Sequence, residues 1–163
     1  NIEARQKAFN LGPIERGEAD VVLGSRLKSG SALAGGMPWW KYISNRFLTW
    51  VENRTFNLRL SEYHTGYRAY TRHALETVNF RFNSDKFIFD QEIMAQFVDA
   101  NLRVAEVAVP TRYFPEASSA SFIASSRYGL GILWLTFRYL MHRSGVWRQK
   151  QFESLSARYS EIV

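Results

Sequence analysis

Between residues 38 and 56 apolar side chains recur at helical spacing. Trp40, Ile43, Phe47 and Trp50 line up on one side, which predicts a helix begun at Pro38 with that stripe in the core. Lys41, Asn45 and Glu52 fall on another face. A second helix is expected from a cap at Ser84 to about residue 100, burying Phe89, Ile93 and Phe97. A third, over residues 122–143, is apolar almost all round, with Arg127, Gly131, Arg138 and His142 on one narrow stripe. Shorter helical pieces are expected before Gly12-Pro13, between Pro13 and Gly17, and from Arg72.

Apolar runs bounded by turn formers predict strands over residues 19–23, 66–71 and 102–109. In the last run Leu102 and Val104 share one phase, Val107 and Val109 the other. A bulge near Ala105-Glu106 is expected there, with Pro110 ending the strand or placing it at a sheet edge. Residues 111–114 are read as a short extended continuation. Helices and strands alternate, which makes an α/β chain with a mixed sheet. So few strands serve so many apolar helix faces that the chain reads as the second half of a larger domain.

Composition narrows the picture. With no cysteine in 163 residues, disulfides and thiolate metal sites are excluded, and a reducing compartment is favoured. No run of about 20 apolar residues marks a transmembrane helix. The net charge of +6 is unevenly spread: no carboxylate lies between Glu116 and Glu153, where Arg127, Arg138, Arg143, Arg148 and Lys150 all fall. That segment reads either as a solvated helical face or as a contact for an anionic partner. The C-terminal helix itself has three readings: packing on the domain, a contact between copies, or a place at the membrane surface.

Three short segments carry candidate chemistry. Gly24-Ser25-Arg26 follows a buried strand, where small residues and an arginine fork suit a phosphate. Thr65-Gly66-Tyr67-Arg68 offers a hydroxyl, a close backbone approach and a second fork. Asp90 and Glu92 open the next helix; Asp90 is also explained as an acid favoured by the helix dipole, so Glu92 is the first choice of general base. His64 has no spaced partner, and no metal site is assigned.

Taken in order, Ala19-Asp20-Val21-Val22-Leu23-Gly24-Ser25-Arg26, the helix with Lys41-Tyr42-Ile43-Ser44-Asn45, Thr65-Gly66-Tyr67-Arg68, Phe89-Asp90-Gln91-Glu92 and Val104-Ala105-Glu106-Val107 with Val109-Pro110 resemble the family 2 glycosyltransferases. The likeness is to the branch that includes dolichyl- and polyprenyl-phosphate sugar synthases, and it covers roughly residues 13–115. It implies the acceptor-side half of a nucleotide-diphospho-sugar transferase (GT-A-like) domain over residues 1–115, with a helical extension over 116–163. The activity implied is inverting transfer from a UDP- or GDP-sugar to an acceptor hydroxyl or lipid phosphate. Mg or Mn would be held mainly by an N-terminal half outside this chain. By the same resemblance Ser25, Arg26, Lys41, Ser44, Thr65 and Arg68 bind substrate, and Glu92 or Asp90 is catalytic. The implied location is cytoplasmic, at the inner face of the membrane.

Departures from the family pattern sharpen these expectations. Trp40-Lys41 stands where the lipid-phosphate branch carries Arg-Lys, and Pro115-Glu116-Ala117-Ser118-Ser119 replaces its basic loop. Both changes count against a lipid-phosphate acceptor. No Asp-X-Asp motif occurs, so this segment alone is expected to be inactive. The alternatives are a basic, aromatic nucleic-acid module, disfavoured because the aromatics fall on helix stripes, and a non-catalytic domain that self-associates or docks on membranes.

Overall fold

The computed structural model describes residues 11–30, 32–110, 122–153 and 155. In order they form α1 (Gly12–Glu15), β1 (Val21–Ser25), α2 (Trp39–Phe56), β2 (Arg68–Tyr70), α3 (Arg72–Thr77), α4 (Phe89–Asp99), β3 (Val104–Ala108) and α5 (Phe122–Arg143). Single 3-10 turns lie at Phe80–Phe82 and Lys150–Phe152. The expected opening helix and the extended piece over 111–114 lie outside the described residues.

The sheet is mixed, in the order β2-β1-β3. β1 runs antiparallel to β2, with Val21 opposite Tyr70, and parallel to β3, with Val21 opposite Val104. β1 is covered on both faces as well as paired at both edges, which explains its unbroken apolar run: Val21, Val22 and Leu23 are wholly buried. The expected bulge in β3 is absent. Its five residues pair one to one with β1, ending at Ser25 opposite Ala108. The change of phase arises because Val109 is buried beyond the strand's end, not from an extra residue inside it.

α4 is the centre of the core. All seven residues from Gln91 to Phe97 are buried, with Ile93, Met94 and Phe97 meeting Leu23, Tyr63 and Leu135. It starts later than expected, at Phe89, and its N-cap position is Ile88. Ser84 does not cap it. Instead the Ser84 backbone N–H and hydroxyl both donate to Glu92 Oε2, at 2.7 and 2.9 Å.

α2 inverts the expectation drawn from its stripe. Ile43, Phe47 and Trp50 are each more than half exposed, and Trp40 is only partly buried. The buried positions are Asn45, Thr49, Glu52 and Phe56. The polar face turns inward because the segment that follows the helix supplies hydrogen-bond partners for it, described below. A buried carboxylate without partners would cost several kcal/mol. Pro38 sits at the N-cap, one residue before the helix, and Asn57, in the left-handed region at φ 54°, ends it.

α5 packs against α2 and α4 through Ile132, Leu135, Thr136 and Tyr139, all buried. It is not the all-round apolar helix expected. Arg127, Arg138 and Arg143 interrupt it, and among the described residues no helix is long and apolar enough to cross a membrane.

Candidate acceptor-side site

The segment between α2 and β2 is anchored by three glutamates. Glu106 of β3 reaches across with Oε1 and takes the Ser61 N–H (2.9 Å), the Ser61 hydroxyl (2.7 Å) and the Glu62 N–H (3.0 Å). Glu62 is fully buried. It accepts from the Arg26 N–H (2.8 Å), Arg26 Nε (2.9 Å) and Asn45 Nδ2 (2.8 Å), and pairs with Arg26 Nη2. Arg26 Nη2 also donates to the His64 carbonyl at 2.7 Å. The arginine expected at a phosphate is thus placed on Glu62.

Glu52, the third, is fully buried under His64. His64 Nδ1 lies 3.2 Å from Asn45 Oδ1. Its Nε2 stands 2.9 Å from Glu52 Oε2, yet neither of those two atoms has a hydrogen-bond partner. Gln91 completes the cluster when its amide nitrogen meets Glu52 Oε1 at 3.0 Å and its oxygen takes the Tyr128 hydroxyl at 2.9 Å. Burial pushes the Tyr128 phenol up to about 12, so it keeps its proton at neutral pH. The His64 ring meets Tyr128 edge-on, 5.9 Å between centroids.

Above this cluster lies a cavity of about 1150 Å³, ample for a ligand larger than a single ring. Its walls are the 64–68 segment, residues 85–92 with the start of α4, and residues 124–138 of α5. Four of the residues singled out from sequence line it: Thr65, Arg68, Asp90 and Glu92. Ser25, Arg26, Lys41 and Ser44 do not. The Ser25 and Ser61 hydroxyl oxygens are 2.8 Å apart, Lys41 lies over the Trp40 ring at 5.2 Å, and Ser44 is exposed on α2.

The lining residues differ in what their polar atoms already do. Arg68 donates to the carbonyls of Thr65 (2.9 Å), Tyr63 (2.7 Å) and Asp90 (2.5 Å), so it ties two walls together. Thr65 Oγ1 accepts the Tyr67 N–H at 3.1 Å, which leaves its own proton for a ligand. Glu92 is held by Ser84. Among the described residues nothing donates to or pairs with the Asp90 carboxylate, and it faces the cavity. An ionised carboxylate with no protein donor is suited to take a proton from a bound hydroxyl. Sequence reading assigns no site role to Glu52, Glu62, Glu106, Gln91 or Tyr128, and His64, expected to have no partner, stands 2.9 Å from Glu52. The available signal was Asn45 and Glu52, seven residues apart on one helix face, which marks a polar stripe as clear as the aromatic one.

No protein-family model and no solved structure matches the chain. It is similar to the low-salt glycan biosynthesis hexosyltransferase Agl6 of Haloferax volcanii, at 30% identity over 122 residues. The match takes in 74% of this chain and 28% of that relative. The chain therefore spans well under a third of the curated protein it matches.

Proposed function

We propose that this chain is the acceptor-side part of a sugar transferase of the family 2 type. Its cavity would hold the acceptor while a UDP- or GDP-sugar is bound by the half outside the chain. The observation that carries this reading is convergence. Thr65, Arg68, Asp90 and Glu92, from two separate stretches of sequence, were assigned to the acceptor side by resemblance and line one cavity. The likeness to a hexosyltransferase supports sugar transfer in general.

In this reading the acceptor oxygen attacks the anomeric carbon of the donor sugar from the face opposite the nucleotide. The new carbon–oxygen bond forms as the bond to the nucleoside diphosphate breaks, and the diphosphate leaves with the electron pair. Where the acceptor is a hydroxyl, Asp90 takes its proton, and Glu92, held by Ser84, shapes the wall beside it. Arg68 keeps the 63–65 segment and the start of α4 at a fixed separation. Among the described residues no three His, Cys, Asp or Glu side chains gather as a metal set. A Mg or Mn ion for the complete enzyme would belong with the nucleotide-binding half. Labelled UDP- and GDP-hexoses, given to the full-length protein with hydroxyl and polyprenyl-phosphate acceptors, test the reading. Transfer to either supports it, and intact donor with both sinks it.

The exposed stripe of α2 supports a second element, docking on an anionic membrane surface. Trp39, Ile43, Phe47 and Trp50 share that helix with exposed Arg46 and Arg54, and Arg54 lies 6.0 Å over the Trp50 ring. The helix's sole carboxylate, Glu52, is buried, and α5 has none. Aromatic and basic side chains without exposed acids are what an anionic lipid interface selects. Vesicles containing phosphatidylglycerol should co-sediment the protein. Phe47→Ser with Trp50→Ser should weaken that binding by about tenfold or more; equal binding by the double variant would exclude this face.

A further inference from the structure

We propose that the cavity receives the hydroxyl-bearing face of a neutral saccharide, stacked on Trp134 and hydrogen-bonded to Asp90 and Glu92. The inference rests on the sugar-transfer reading and narrows its acceptor from hydroxyl or lipid phosphate to hydroxyl.

Among the described residues nothing donates to or pairs with the Asp90 carboxylate, and Glu92 is engaged through Oε2 alone. Ionised carboxylates accept and never donate. Phosphate oxygens at neutral pH are acceptors too, so a phosphate beside these groups meets like charge and leaves every lone pair unmatched. A sugar hydroxyl both donates and accepts, and it completes either carboxylate.

The cavity's arginines point the same way. A phosphate site needs guanidinium donors turned to the ligand. Arg68 gives three of its five N–H groups to carbonyls of the fold. Arg138 gives Nε (2.8 Å) and Nη2 to Gln149 Oε1, and Nη2 again to Gln151 Oε1 at 2.6 Å. Lys86 and Arg127 also lie on the wall, beside Asp85, Asp90 and Glu92.

The apolar part of the wall supplies the second half of a sugar site. Trp134 lines the cavity and is 54% exposed, although its ring is already fixed by neighbours. Phe137 stacks on it with centroids 5.6 Å apart, and Trp147 leans on it at 6.3 Å. A hexose ring has C–H groups on one face and hydroxyls around its rim. A fixed indole beside acceptor-only carboxylates matches both at little ordering cost.

Saturation-transfer NMR on the full chain, with maltose and α-1,2-mannobiose as saccharide probes and geranyl phosphate and inorganic phosphate as anion probes, tests this. At least one disaccharide should receive saturation on its ring protons, undisturbed by either phosphate. Trp134→Ala should raise its Kd about tenfold, Trp134→Phe should restore most of the affinity, and Asp90→Asn should weaken it as well. Circular dichroism of each variant checks that the fold is kept. Binding of geranyl phosphate that displaces the disaccharide, absence of both disaccharides, or unchanged affinity in folded Trp134→Ala would each overturn the proposal. Its failure is separable from that of sugar transfer. Hexose transferred to geranyl phosphate would keep the transfer reading and end this one; disaccharide bound without any transfer would do the reverse.

Discussion

Asp90→Asn is expected to lower hexose transfer to a hydroxyl acceptor by about 10²–10⁴-fold, the range for loss of a general base. The fall should appear in kcat more than in KM, because the amide still fills the site and still presents one accepting oxygen. Glu92→Gln should cost less. Glu92 Oε2 already takes two donors from Ser84, which anchors it to the wall and occupies that oxygen. The sequence favoured Glu92, since an acid in the first turn of a helix has a ready explanation in the helix dipole. The contrast that geometry adds is between a carboxylate with protein donors and one without. Steady-state kinetics of both variants decide the order. A dead Glu92→Gln beside an active Asp90→Asn would return the role to Glu92.

The second large effect concerns folding. Arg26→Ala removes the cation from Glu62, whose side chain is wholly buried. Asn45 and the residue-26 backbone N–H remain as donors, but the negative charge stays buried without a counter-ion. Breaking such a pair from one side typically costs about 3–5 kcal/mol, and urea unfolding should read it. Adding Glu62→Gln should recover a good part of that loss, because no charge is then left behind. A cost below about 1 kcal/mol for Arg26→Ala would mean that the 61–64 segment does not depend on this pair. The cavity above it would then need another explanation for its shape.

How far these features were legible varied with the physics behind each. β1 could be read because a strand buried on both faces is apolar throughout, and Val21-Val22-Leu23 shows that run. Of the residues in the short motifs, Thr65, Arg68, Asp90 and Glu92 line one cavity, whereas Ser25, Arg26, Lys41 and Ser44 do not. α2 was misread for a definite reason. Periodicity locates two faces of a helix but does not say which one is buried when the polar face has partners elsewhere. Those partners, Glu62 and His64, lie 10 and more residues beyond Glu52 in a segment with no period of its own. Arg26 shows the same limit. A loop arginine after a strand suits a phosphate and suits a buried glutamate equally well, and the second is what the fold provides.

The absence of cysteine from this chain allows a direct test of whether the cavity is where the acceptor binds. Ser125, on the cavity wall, and His73, exposed on α3, are each replaced in turn, as Ser125→Cys and His73→Cys. Hexose transfer is then measured before and after labelling with a bulky maleimide. The account predicts that both unlabelled variants transfer sugar, that labelling at position 125 abolishes transfer, and that labelling at position 73 leaves it intact. Undiminished transfer with position 125 fully labelled would contradict it, because the acceptor would then have to be held somewhere else.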